Sequence, residues 1–358
     1  MQLFKCQNCG QLLYFENTRC ETCGAPLGYE PFGATLTALR DNGDTWLPMA
    51  GAEQPYRFCA NAKYDVCNWL IPAESPDQFC TACRHNRTIP DLSDREHRLA
   101  WRKLEYAKHR LFYQLLKLRL PTPTNAELPG HGLVFDFLEQ PPQAGAAKVM
   151  TGHDDGVITL NLQEADDVAR ERLRAQMHEP YRTLLGHFRH EIGHFYWDIL
   201  VRDGGKLDQC RVVFGDDSED YNGALQRHYR DGAPANWQGN FISQYATTHP
   251  WEDFAETWAH YLHIIDTLET AAAFRLGVHP TNAEEPALHA DITLNAYGEG
   301  KVEGLIDAWL PLTFAVNSLN RSMGIGDLYP FILSEAVIRK MGFIHDLVHD
   351  TLPDDRAA

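Results

Sequence analysis

Two imidazoles and a carboxylate fall within little more than one helical turn in His190-Glu191-Ile192-Gly193-His194. Histidines at i and i+4 share a helix face and can bind one zinc, while the glutamate between them is placed to take a proton from a water on that metal. A catalytic zinc commonly has three protein ligands, so the pentapeptide needs another donor. Pro250-Trp251-Glu252-Asp253-Phe254-Ala255-Glu256 offers two carboxylates, Glu252 and Glu256, one turn apart beside an apolar stripe. Carboxylates desolvated against aromatic rings are costly unless something cationic neutralises them. A zinc and a histidine bound to it would do so.

A second chemistry is written in cysteine. Eight of the nine cysteines precede residue 84. Cys6, Cys9, Cys20 and Cys23 form two Cys-x-x-Cys knuckles, each followed by glycine (Gly10, Gly24), as a turn of positive φ requires. Cys59, Cys67, Cys80 and Cys83 form a second, looser set, with His85 as a substitute for one thiolate. Together they predict two structural zinc ions, and the helix motif a third, catalytic one. Cys210 stands alone and reads as a packing or surface thiol.

These donors need elements to hold them. The cysteine-rich segment is rich in turn formers and poor in helical periodicity, so residues 1–92 read as a zinc-ribbon module. Ser93-Asp94-Arg95-Glu96 has the order of a capping box, and Leu104, Leu111, Leu115 and Leu118 predict an amphipathic connecting helix over 93–120, ended by Pro121 and Pro123. Alternating β-branched runs over 133–137 and 156–162 predict strands. Helical periodicity begins near Asp166, and Leu185, Phe188, Ile192, Phe195 and Ile199 form the stripe that places His190 and His194 on a helix. Trp251, Phe254, Ala255, Trp258, Leu262 and Ile265 do the same for Glu252. Further helices are expected over 251–268, 302–319 and 331–348. Residues 121–350 thus read as one α+β domain, with 351–358 a disordered tail.

The paired motifs, His-Glu-x-x-His and then Glu-x-x-x-Glu, resemble those of the gluzincin metallopeptidases, and the Glu-Asp-Phe-Ala-Glu variant is similar to anthrax lethal factor. The whole layout resembles bacterial zinc-binding metallopeptidases with an N-terminal zinc ribbon. That resemblance implies a zincin-like domain with a small mixed sheet and active-site helices. It makes His190, His194 and Glu252 the catalytic zinc ligands, Glu191 the general base, and Glu256 the acceptor that orients a ligand histidine. It also implies a tyrosine seven residues before the glutamate ligand, Tyr245, as donor to the oxyanion. Substrates of this fold commonly pair with an edge strand upstream of the active-site helix, which here points to Gly156, Val157, Ile158, Thr159 and Leu160.

Composition limits the rivals. The net charge is −17, from 32 Lys and Arg against 49 Asp and Glu, which argues against a general nucleic-acid binder. Residues 95–119 are locally basic, as a solvated helix face often is. A DNA-associated protease with a zinc ribbon should be basic in the ribbon, yet Met1–Arg95 carries eight basic and eleven acidic residues. An idle zinc-binding scaffold would have no use for Glu191. No signal-peptide order or membrane-length apolar run is evident, and clustered cysteines suit a reducing compartment, so a cytoplasmic protein is expected. Its partners would be a peptide or protein substrate and a protein docked on the ribbon, with no membrane and no nucleic acid.

Overall fold

The computed structural model describes residues 1–51, 53–140, 149–167, 170, 183–282 and 285–350. The chain forms two compact units, Met1–Arg170 and Glu171–Ala358. The predicted tail over 351–358 and the start of the helical region near 171–182 lie outside the described residues.

The first unit opens with a two-stranded ribbon, β1 (Phe4–Lys5) and β2 (Leu12–Leu13), that carries the first knuckle between its strands. An antiparallel sheet follows in the order β3 (Leu27–Glu30), β4 (Thr35–Asn42), β5 (Thr45–Pro48), β6 (Tyr56–Phe58) and β7 (Leu70–Pro72). Leu39, Tyr56 and Leu70 pack together on it with Trp46 and Phe58. β8 (Asn86–Thr88) leads to α1 (Arg95–Lys117), and a mixed sheet is then built in the order β10 (Gly152–Asp154), β11 (Val157–Asn161), β9 (Val134–Leu138), β8.

Three expectations are corrected here. Ser93 does not cap α1: its hydroxyl donates to Asp91, and the Asp94 side chain accepts from Glu96 N at 2.7 Å. Helix α1 does more than connect, because Tyr113 stacks edge-on to Phe15 at 5.5 Å within a cluster that includes Tyr29 and Trp69. Nor is Gly156–Leu162 an edge. Val157–Asn161 pairs in parallel with Val134–Leu138 on one side, and Val157–Thr159 pairs antiparallel with Gly152–Asp154 on the other. Val157–Thr159 are therefore paired on both sides, and among the described residues the sheet edges are β10 and β8.

The second unit is mainly helical: α2 (Leu184–Tyr196) running into a π-helical turn at Trp197–Arg202, α3 (Leu207–Phe214), α4 (Tyr221–Asp231), α5 (Pro250–Ala273), a short β12–β13 pair (Gly277–Val278, Ala290–Asp291), α6 (Val302–Ser322) and α7 (Glu335–Asp350). Helix α5 is the axis, packed by α2, α3, α6 and α7. Of its predicted stripe, Phe254, Ala255, Trp258, Leu262 and Ile265 are buried and Trp251 is half-buried. Helix α7 starts four residues later than periodicity suggests because the Ser334 hydroxyl accepts from Val337 N at 3.2 Å. No helix among the described residues is long and apolar enough to cross a membrane.

Candidate metal centres

Helices α2 and α5 are locally well specified. The Thr183 hydroxyl accepts from Gly186 N at 2.9 Å to start α2, and His249 Nδ1 accepts from Trp251 N at 3.1 Å to start α5, with Pro250 in its first turn. Gly193 lets the two helices approach closely: a Cβ there would lie 3.0 Å from Ala255 Cα and 3.2 Å from Trp258 Cβ. The bare turn between His190 and His194 is thereby pressed onto the helix that carries Glu252.

The result is a tight set of three donors. His190 Nε2 and His194 Nε2 lie 3.1 Å apart, and Glu252 Oε2 lies 3.0 Å and 3.4 Å from them. Glu256 Oε1 accepts from His190 Nδ1 at 2.7 Å, which puts the proton on Nδ1 and leaves a lone pair on Nε2. That lone pair then faces another on Glu252 Oε2, a buried oxygen with no hydrogen-bond partner among the described residues. Such an arrangement is repulsive unless positive charge lies among the donors, either a second proton on His190, whose pKa Glu252 and Glu256 raise against burial, or a metal ion, and two imidazoles with a carboxylate fit zinc.

The surrounding groups hold this set in place. Tyr221 donates its hydroxyl to Glu252 Oε1 at 2.5 Å, and Ser243 donates to Glu256 Oε2 at 2.5 Å while accepting from Ala246 N. The His194 ring lies against Trp251, with centroids 3.6 Å apart. Burial lowers the pKa of His194 and keeps it in the neutral, metal-binding form. Against burial, Glu252 and Glu256 raise the His190 pKa well above its ordinary value, and positive charge at the histidines holds the Glu252 carboxyl well below the usual carboxylate range, so the donors favour a cation among them. Tyr245 lies beside His190 at 5.8 Å between ring centroids, and burial followed by the Glu252 charge pushes its phenol well above its ordinary value, so it remains a proton donor. Glu191, between the histidines, is nine-tenths buried. His260 and His263, farther along α5, are both buried, and His260 Nδ1 is 2.8 Å from the Tyr329 hydroxyl.

Eight of the nine cysteines gather in two clusters, Cys210 belonging to neither, with no disulfide among the described residues. In the first, Cys6–Cys23 and Cys9–Cys20 sulfurs are each 3.6 Å apart; Gly10 and Gly24 have φ of +80° and +74° and donate to the carbonyls of Cys6 and Cys20. In the second, all four cysteines are buried and Cys67–Cys80 sulfurs are 3.8 Å apart. Four metal–sulfur bonds of ~2.3 Å at tetrahedral angles put sulfurs about 3.8 Å apart, so both clusters have the size of a zinc site. Hydrogen bonds from Cys67, Cys80 and Cys83 drive the Cys59 thiol far down, whereas burial pushes Cys67 and Cys83 well up. Only a cation would let all four ionise.

His85 does not join this cluster. Its Nδ1 donates to Leu133 O at 2.8 Å, and burial holds its pKa down to about 4. The histidine that does approach is His109 of α1, with Nε2 3.6 Å from Cys83 Sγ and 3.9 Å from Cys80 Sγ. Sequence reading missed it. The available signal was the inward position of Glu105 and His109, one turn apart among Trp101, Leu104 and Phe112.

Two cysteine clusters in one unit and a two-histidine, one-glutamate set between helices in the other define a protein with three candidate zinc sites. The chain belongs to the family described as "Putative zinc-binding metallo-peptidase", whose model matches residues 97–347, and residues 3–94 match a zinc-ribbon domain. It is 43% identical over 355 residues to uncharacterized proteins of Mycobacterium bovis and of two Mycobacterium tuberculosis strains, CDC 1551 and H37Rv, covering 99% of this chain and 97% of each relative. No solved structure matches the chain.

Proposed function

We propose that this chain is a gluzincin-type zinc peptidase, with motifs like those of lethal factor, acting on peptide or protein substrates in the cytoplasm. The convergence of His190 Nε2, His194 Nε2 and the otherwise partnerless Glu252 Oε2 carries the reading. A zinc held by these three would supply Lewis acidity at the scissile carbonyl and acidify a water. Glu191 takes a proton from the attacking water and returns it to the leaving amine. Tyr245 donates its phenol to the oxyanion, where developing charge makes one positioned donor most effective. Glu256 keeps the His190 proton on Nδ1, and Tyr221 holds Glu252 by one oxygen.

The two cysteine clusters hold structural zinc, giving three ions per chain, and eight thiols kept as metal donors suit a reducing compartment. We assign residues 1–92 to the ribbon, which offers a surface for a protein partner, 93–120 to the helix after it, and 121–350 to the peptidase. Zinc counting by native mass spectrometry, with cleavage of an unbiased peptide library, tests the whole. Three zincs and metal-dependent cleavage are expected; two zincs that both vanish with the cysteines would leave a scaffold.

A further inference from the structure

His109 lies outside the zinc-ribbon segment and is not a cysteine, yet it is aimed at the second cluster. Its Nδ1 is 2.6 Å from the Glu105 carbonyl oxygen. A carbonyl only accepts, so Nδ1 carries a proton and Nε2 is the ring atom turned toward Cys83 and Cys80. A nitrogen and a sulfur bound to one tetrahedral zinc, with bonds of ~2.0–2.1 Å and ~2.3 Å, are about 3.6 Å apart. Nε2 meets that distance to Cys83 Sγ and nearly meets it to Cys80 Sγ. The ring is buried and set edge-on to Trp69 at 5.2 Å, so it has little freedom to point elsewhere.

Glu105 comes as near, with Oε2 3.7 Å from Cys83 Sγ, which raises a separate ion held by Cys83, Glu105 and His109. The charges argue against it. Glu105 Oε1 already accepts from Lys108 Nζ at 2.8 Å, Asn86 Nδ2 at 2.8 Å and Trp101 Nε1 at 3.2 Å, and the Lys108 ammonium is fully buried beside it. A second cation there would meet a buried positive charge that already neutralises the carboxylate.

We propose that His109 is a reserve ligand of the second cysteine centre, lying outside the Cys80–Cys83 edge and able to take the place of either sulfur on the zinc. The proposal rests on that centre holding zinc. Because Nε2 lies beside those two sulfurs, the replacement is proposed for them.

The test is zinc stoichiometry of the full-length chain by native mass spectrometry, with cobalt substitution to read thiolate-to-metal charge transfer. Cys83→Ala and Cys80→Ala should each keep the wild-type metal count, with the charge-transfer band of that centre reduced by about a quarter. Cys59→Ala and Cys67→Ala should each lose about one ion per chain. His109→Phe, which retains a ring against Trp69, should keep the full count and so report on folding; Cys83→Ala/His109→Phe should lose one ion. Loss of the ion in Cys83→Ala, or its retention in the double variant, overturns the reserve ligand. Absence of the ion from the wild-type centre overturns instead the reading on which the proposal rests.

Discussion

The Tyr221 hydroxyl donates to one oxygen of Glu252 at 2.5 Å, while the other oxygen faces His190 and His194 at 3.0 Å and 3.4 Å. Burial, followed by the Glu252 charge, pushes the Tyr221 phenol well above its ordinary value, so the proton stays on the tyrosine. The carboxylate is thus fixed for binding through a single oxygen. Tyr221→Phe and Glu256→Ala should each weaken zinc binding at this site ~10–100-fold, as the loss of a group orienting a ligand does. Glu252→Ala should lose that zinc outright. Competition with a chelator measures all three, and if Glu256→Ala proved the more severe the two glutamates would exchange roles.

Gly193 decides how close α2 comes to α5. Alanine would gain up to ~1 kcal/mol in helix propensity. Its Cβ would also press on Ala255 Cα at 3.0 Å, a backbone atom that cannot rotate away. Overpacking of this kind costs ~1–3 kcal/mol, so Gly193→Ala should be net destabilising and should move Glu252 off the histidines. A lower Tm together with weaker zinc binding is expected; an unchanged or raised Tm would mean that the helices part without strain.

The first cysteine cluster lies in short strands and turns with few apolar residues between them, so its metal should supply much of the local folding energy. Cys6→Ser and Cys20→Ser should each release about one zinc per chain while the helical unit keeps its far-ultraviolet signature. Unchanged zinc in both variants would remove the first structural site.

What the sequence shows of this protein follows from the range of its interactions. His190, His194, Glu252 and Glu256 were legible because each pair is one helical turn apart and each helix has its own apolar stripe. The glycine turns at Gly10 and Gly24 were legible for the same local reason. The pairing of Val157–Thr159 on both sides was not, because it depends on residues 134–138 and 152–154 finding one register across intervening chain. Tyr221 carried no local signal, because its bond to Glu252 depends on α4 and α5 meeting in the fold. His109 was hidden by its company, since a histidine on a basic helix reads as solvated until the ribbon is folded around it.

Glu191 separates an enzyme from a metal scaffold. It follows His190 directly and precedes His194 by three residues, yet it is absent from the three-donor set that would hold the ion. Glu191→Gln keeps the shape and hydrogen-bonding capacity of the side chain and removes only the base. Zinc content and Tm should therefore stay at wild-type values, while peptide cleavage falls by the ~10²–10⁴-fold typical of a lost general base. Tyr245→Phe should also keep its zinc, with a fall nearer the ~10²–10³-fold of one missing oxyanion donor and expressed in kcat more than in KM. The measurement is single-turnover cleavage of whichever library peptides the wild type cuts, with zinc counted in the same samples. Equal cleavage by wild type and Glu191→Gln would show that the base lies elsewhere, and a loss of zinc in Glu191→Gln would show that this carboxylate holds the metal rather than the proton.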